Sequence, residues 1–179
     1  MSQPLVSIII PTYKSGETLR QAIQSVLDQD YRPLELIVVD DNHPGSAERA
    51  ATEAIMAAFA GQPLVTYLQH ERNRNGSAAR NTGFRRSRGD YLCFLDDDDL
   101  FLPGKLTRQV AWLEAHPEHD AVYTWRCQYG GVIGSDKSGD LSADLLTLSF
   151  TPYTSSIMLT RRSCSALNGF DESYRRHQD

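Results

Sequence analysis

The chain has 179 residues, with 18 Lys and Arg against 23 Asp and Glu, for a formal charge of −5. That length suits one domain able to bury about 70% of the surface its unfolded chain exposes, and the negative balance argues against a general nucleic-acid binder. Cys93, Cys127 and Cys164 form no CxxC pair and read as reduced, structural thiols of a cytosolic protein; with no basic leader and no apolar stretch approaching about 18 residues, the expectation is a soluble, unsecreted chain.

Residues 5–10 are a β-branched run closed by Pro11, which predicts a first buried strand with a loop, 11–16, beyond its carboxyl end. From Glu17 to Asp30, Leu19, Ala22, Ile23, Val26 and Leu27 recur with the period of an amphipathic helix, with Ser15 as cap and Pro33 as break. Residues 34–39 repeat the strand pattern and end in Asp40-Asp41-Asn42. Inward alanines with Ile55 and Phe59 predict a helix over 46–60, stopped at Gly61. Residues 64–68 predict a third strand, and 73–83 a polar loop feeding a helix that ends near Gly89. Arginine clusters between Arg72 and Arg88.

Tyr91-Leu92-Cys93-Phe94-Leu95 then runs directly into Asp96-Asp97-Asp98-Asp99. A strand covered on both faces is a continuous apolar run, and open α/β sheets bind ligands beyond the carboxyl ends of their strands. Two like charges ~6 Å apart at an effective dielectric of ~20 repel by roughly 3 kcal/mol, which a divalent cation offsets. In an extended chain Asp96 and Asp98 point to one side and Asp97 and Asp99 to the other, giving two hard oxygen donors of the kind Mg²⁺, Mn²⁺ or Ca²⁺ prefer. The competing reading is a solvated acidic loop capping the next helix. That helix is expected from Pro103 to about His116, with Leu106, Val110 and Leu113 on one face.

Alternating β and α units imply a mainly parallel sheet flanked by helices, with the polar ends of the first, second and fourth strands sharing one crevice. Beyond Asp120 the pattern changes to a strand over 121–125, a mobile glycine-rich loop over 130–139 and another strand over 155–160.

Five segments stand in order: Val6-Ser7-Ile8-Ile9-Ile10-Pro11-Thr12-Tyr13, Val38-Val39-Asp40-Asp41-Asn42, Asn75-Gly76-Ser77-Ala78-Ala79-Arg80-Asn81-Thr82-Gly83, Phe94-Leu95-Asp96-Asp97-Asp98-Asp99 and Gly169-Phe170-Asp171-Glu172. Together they resemble the family 2 glycosyltransferases, inverting enzymes of the GT-A fold, whose Rossmann-like sheet carries a nucleotide-sugar site at the strand carboxyl ends. The resemblance implies a single domain over 1–179, with a nucleotide-binding half (1–119) and an acceptor-side half (120–179) truncated at its C terminus. It implies metal-dependent transfer of a sugar, from a UDP-sugar above all, to an acceptor hydroxyl in polysaccharide, glycolipid or cell-wall glycan synthesis.

By the same resemblance Pro11, Tyr13, Asp41, Asn75, Arg80 and Asp97 contact the donor: Tyr13 against the uracil, Asp41 at the base or ribose, Arg80 near the diphosphate and Asp97 near the ribose. Asp98, assisted by Asp96, is the ligand for Mn²⁺ or Mg²⁺, with Asp99 supporting or capping, and Asp179 is the general base, with Asp171 and Glu172 as competitors. Partners are the donor and a glycan or lipid-linked acceptor, with no nucleic acid. The expected location is the cytoplasm, with peripheral association at the inner membrane face through regions outside this chain.

Lys14 and His43 depart from the family's usual asparagine and serine. His43, His70, His116, His119 and His177 lack metal-ligand spacing and read as surface residues. A haloacid-dehalogenase-like phosphatase fits less well, because Leu100 stands where its motif needs Thr or Ser. A sugar-nucleotide pyrophosphorylase lacks its glycine-rich signature here. An EF-hand fails at Phe101, where the loop needs glycine. A non-catalytic nucleotide-sugar or metal-binding module is the remaining alternative.

Overall fold

Alternate residues of the first strand belong to two different apolar clusters: Val6, Ile8 and Ile10 to one, Ile9 to the other. This period-two division runs through the whole sheet of the computed structural model, which describes residues 3–174. In chain order the elements are β1 (Val6–Thr12), α1 (Glu17–Leu27), β2 (Leu34–Asp40), α2 (Ala47–Ala57), β3 (Val65–Gln69), α3 (Gly76–Arg86), β4 (Tyr91–Phe94), α4 (Lys105–Ala115), β5 (Ala121–Tyr123), β6 (Arg126–Gln128), β7 (Gly131–Ile133), α5 (Ser142–Leu146), a 3-10 turn (Thr154–Ser156), β8 (Ile157–Thr160) and α6 (Arg161–Ala166).

Six strands form one sheet in the order β3-β2-β1-β4-β8-β5. Pairs β1–β2, β2–β3 and β1–β4 are parallel, while β8 runs antiparallel to both β4 and β5. The segment after Asp120 thus completes the same sheet. On one face, Ile8, Ile10, Leu36, Val38 and Cys93 pack with Leu19, Ile23 and Val26 of α1, Ile55 of α2 and Leu106 and Val110 of α4. On the other, Ile9, Ile37, Leu92 and Phe94 meet Ala79 of α3 and Cys164 of α6. Burying such side chains stabilises by roughly 1.5–3 kcal/mol each, so the parallel strands are fixed in register and their carboxyl ends share one edge. All three cysteines are free; Cys93 and Cys164 are buried and Cys127 is exposed. Among the described residues no helix is long and apolar enough to cross a membrane.

Four local expectations change. Helix α3 begins inside the supposed 73–83 loop, because Asn75, at φ 81°, caps it by accepting the Ala78 N–H at 3.0 Å. Gly83 lies within that helix, and a Cβ there would come within 2.4 Å of Ile9 Cγ2, so this glycine serves close helix-to-sheet approach. Ser15 does not cap α1: the cap is Gly16, and the Ser15 hydroxyl meets Thr18 at 3.0 Å. The segment expected as a mobile loop opens with β7, which pairs with β6 as a hairpin. Tyr129 and Gly130 both have positive φ, 51° and 76°, the backbone a two-residue hairpin turn of the primed type needs.

Candidate functional site

The carboxyl ends of β1, β2 and β4, together with the start of α3, form the candidate site. At the end of β1, Tyr13 is half exposed and its N–H donates to Asp97 Oδ2 at 3.3 Å. Lys14 takes a left-handed φ of 57°, its N–H held by Asn42 Oδ1 at 2.8 Å, and its ammonium lies 5.1 Å from the Tyr13 ring centre. Pro11 is part of β1, paired in register with Val39.

At the end of β2 the two aspartates divide their work. Asp40 is fully buried, pairs with Arg49 at 3.0 Å and accepts the Tyr67 hydroxyl at 2.6 Å. Asp41 is also buried, and its carboxylate is surrounded by donors. Oδ1 accepts the Arg74 N–H at 2.8 Å and faces His70 Nδ1 at 2.7 Å, while Oδ2 accepts the Asn75 N–H and the Asn73 side-chain amide, both at 2.9 Å. A carboxylate has about four lone-pair directions, so Asp41 is a buckle that shapes residues 73–75. His70 Nε2 continues the chain to Thr82 Oγ1 at 2.9 Å. His70 is therefore not a surface residue: it is 7% exposed. Its position just past β3, on the same edge as Asp41, is the signal that points to it.

The acidic run after β4 is not extended. The Asp99 N–H returns to the Asp96 carbonyl at 3.1 Å, closing a turn, so the alternating placement of the four acids does not hold. Each acid instead has its own surroundings. Asp96 pairs with Arg80 Nη2 at 2.7 Å, and its N–H donates to Ser155 Oγ at 3.1 Å. Asp97 folds back onto β1; burial pushes its carboxyl up, with Asp98 adding to the effect, against the opposing pull of the Thr12 and Ser15 hydroxyls and the Tyr13 N–H. Asp98 is exposed and makes no hydrogen bond or ion pair among the described residues. No three His, Cys, Asp or Glu side chains converge on a point among the described residues. The oxygen donors do fit a Mg²⁺ or Mn²⁺ ion, which typically takes one or two carboxylates and completes its shell with water and substrate phosphate.

Arg80 projects from α3 beneath the turn, 5% exposed, with its guanidinium 5.5 Å from the Phe170 ring. Phe170 is seated edge-on against Phe94 at 4.8 Å and exchanges two backbone bonds with the Asn81 side chain, both 2.8 Å. Glu172 follows. Its carboxylate accepts from Asn81 at 3.0 Å, Arg85 at 3.2 Å and Arg74 at 3.1 Å, and its carbonyl accepts from Asn75 at 3.0 Å. The bond from Asn81 holds the Glu172 carboxyl below its ordinary range, with Arg85 and Arg74 adding against a smaller cost of burial. Asp171 is exposed and accepts the Ser173 N–H. Sequence reasoning did not anticipate the parts of Asn81 and Ser155, since neither residue type carries a signal without its partner. Asp179 lies outside the described residues.

The model for glycosyl transferase family 2 matches residues 7–165. An uncharacterized glycosyltransferase of Rickettsia bellii is 31% identical over 192 residues, covering 98% of this chain and 26% of that protein. Another, from Methanocaldococcus jannaschii, is 32% identical over 126 residues, 70% of this chain and 42% of that protein. Among solved structures, S. aureus TarS 1-349 in complex with UDP-GlcNAc superposes with a TM-score of 0.78 at 20% identity, covering 97% of this chain and 50% of that one. The mannosyltransferase PcManGT of Pyrobaculum calidifontis, in complex with GDP-Man and Mn²⁺, gives 0.71 at 21% identity, covering 96% and 48%. These likenesses establish the GT-A fold, and the phosphatase reading has no support in them. The family match, spanning both the sheet and the acidic turn, decides the assignment: this chain belongs to glycosyl transferase family 2.

Proposed function

We propose that this domain transfers a sugar from a nucleoside-diphosphate sugar, UDP being the favoured nucleotide, to an acceptor hydroxyl with inversion at the anomeric carbon. The observation that carries the reading is the meeting of Tyr13, the Asp41-shaped loop, Arg80 and the acidic turn at one sheet edge in a family 2 chain. The nucleotide sugars bound by TarS and PcManGT support it. The chain spans a quarter to a half of the length of those relatives and neighbours; within it we assign residues 1–119 to donor binding and 120–179 to the acceptor side.

Tyr13 offers an exposed ring with a polar tip to the base, with Pro11 beside it, and Asp41 acts at the nucleoside end through the loop it holds. Asn75 opens α3, whose N terminus and Arg80 side chain favour an anion such as a diphosphate. Asp98 would hold Mn²⁺ or Mg²⁺, with Asp96 assisting as Arg80 turns to the phosphates and Asp97 near the ribose. When bound, the metal neutralises charge on the departing diphosphate.

A direct displacement also needs a base to take the acceptor proton, a contribution of ~10²–10⁴-fold. Glu172 is poorly suited, because three donors hold its carboxylate in the ionised, already bonded state. Asp171 binds its own turn. We therefore keep Asp179 as the base, and glycan or glycolipid hydroxyls as its substrate. A thermal-shift series of nucleotide sugars with and without Mn²⁺ tests donor recognition, since a ligand of the folded state raises the midpoint. Donor hydrolysis in Mn²⁺ then separates a transferase from a binding module. Equal midpoints with every nucleotide sugar, with and without Mn²⁺, would remove the proposal.

A further inference from the structure

Behind the acidic turn lies a second concavity that the donor reading does not use. It has a volume of about 270 Å³ and is walled by the end of β5, the β6–β7 hairpin and residues 149–156. Its position is tied to the donor site by one residue. Ser155 Oγ accepts the Asp96 N–H at 3.1 Å, while Tyr153 and Ser156, on either side of Ser155, line the cavity. The segment that supports the acidic turn thus also forms a wall of this pocket.

The pocket has a fixed cation. Arg126 sits over the Tyr153 ring, its guanidinium carbon 3.6 Å from the ring centre, and its Nε donates to Gln128 Oε1 at 3.3 Å. The ring contact and that bond hold the guanidinium against the pocket wall, and its two terminal nitrogens have no hydrogen-bond partner among the described residues. An oriented guanidinium fork suits the paired oxygens of a carboxylate or phosphate. Thr124, Ser149 and Thr151 also line the pocket, the Thr124 hydroxyl donating to Ser156 O at 3.4 Å and the Ser149 hydroxyl to Asp144 Oδ1 at 2.7 Å, and Tyr123 packs on Phe150 at 4.9 Å. Gly134 lets the chain pass under Trp125, where a Cβ would meet the indole at 2.2 Å, and the indole N–H donates to Ser135 O at 3.3 Å. The wall is built rather than incidental.

We infer that this pocket seats an acceptor unit that is hydroxyl-rich and carries one anionic group, with Arg126 on the anion and Tyr153 holding Arg126 in place. The inference rests on the transfer reading for its meaning: a unit bound here would present a hydroxyl across the 153–156 segment to the donor. A volume a little under the ~300–1,000 Å³ usual for small-molecule sites matches one ring or short polyol rather than an oligomer. The anion has two chemical sources, a phosphorylated polyol or an acidic sugar, which share the recognition and differ in the probe.

The test is ¹⁵N NMR titration of the protein saturated with UDP and Mg²⁺, following the Trp125 indole N–H and the Arg126 Nε–H. The probes are glycerol 3-phosphate, glucuronate, methyl glucoside and inorganic phosphate. Saturable shifts with glycerol 3-phosphate identify the polyol source, and with glucuronate the acidic sugar; methyl glucoside and inorganic phosphate, each lacking one half of the recognition, bind at least about tenfold more weakly. Arg126→Ala and Tyr153→Ala abolish the Trp125 shift while leaving UDP affinity within about twofold of wild type, as expected for a pocket outside the donor contacts. Inorganic phosphate binding as well as the best probe, silence from all four, or shifts undiminished in Arg126→Ala overturns the inference. A wild-type protein that fails to bind UDP overturns the transfer reading instead, and is seen before any probe is added.

Discussion

Replacing Glu172 by alanine removes the acceptor on which Asn81, Arg85 and Arg74 converge. The Asn81 bond, with its donor buried, contributes about 1 kcal/mol. The two arginine contacts are partly open to water, with Arg85 61% and Arg74 41% exposed, so each contributes about 0.5 kcal/mol. The expected loss is about 2 kcal/mol at neutral pH, a fall of about 4–8 °C in Tm for a chain of this size. Because Asn81 holds the folded-state carboxyl below its ordinary value, this stabilisation is fully present above the unfolded pKa of about 4.3 and is lost as pH falls through the folded value. Thermal unfolding of wild type and variant from pH 7 to pH 3 follows the difference, and hydrogen exchange at Phe170 locates it. A Tm difference that stays constant over that range, or unchanged exchange at Phe170, would refute the view that Glu172 clamps this segment through its charge.

Three further outcomes follow from the packing. Gly83→Ala forces a methyl against Ile9 and should cost about 1–3 kcal/mol, measured by denaturant unfolding, whereas an exposed helical Gly→Ala change would stabilise. Asp40→Ala leaves the Arg49 charge buried with only carbonyl partners and should cost about 3–5 kcal/mol, seen as a lower urea midpoint. Burial pushes the Lys105 ammonium down, so stability should rise with pH from its folded value toward the unfolded ~10.4. Lys105→Met should remove that rise, and an unchanged pH profile of stability would contradict it.

Much of the fold was legible because its strands are buried on both faces. Continuous apolar runs such as Val6-Ser7-Ile8-Ile9-Ile10 and Tyr91-Leu92-Cys93-Phe94-Leu95 mark parallel strands without ambiguity about which end faces the ligand. Helix starts were less legible where the signal was tertiary. Gly83 looks like a loop residue until Ile9 is seen beneath it, and Asn75 looks like one until it caps α3. The acidic run showed where a site lies but not how it is arranged. The pairing of Asp96 with Arg80, 16 positions away, and the return of Asp97 to Tyr13, 84 positions away, replace the simple alternation of an extended strand. His70 and Glu172 acquire meaning only through Asp41 and Asn81, contacts over 29 and 91 positions that no local pattern encodes.

The central claim is that the acidic turn brings a metal and a nucleoside diphosphate to this sheet edge, and calorimetric titration of UDP into wild type and Asp98→Ala, each in Mn²⁺ and in EDTA, tests it most directly. Asp98 is exposed and bonds nothing among the described residues, so its loss should leave the fold and Tm unchanged, as for most surface substitutions. Wild type should bind UDP at least about tenfold more tightly in Mn²⁺ than in EDTA, a difference of about 1.4 kcal/mol, and the variant should show the weaker affinity in both. UDP affinity that is the same in Mn²⁺ and EDTA for wild type, or a metal effect retained in Asp98→Ala, would contradict the account.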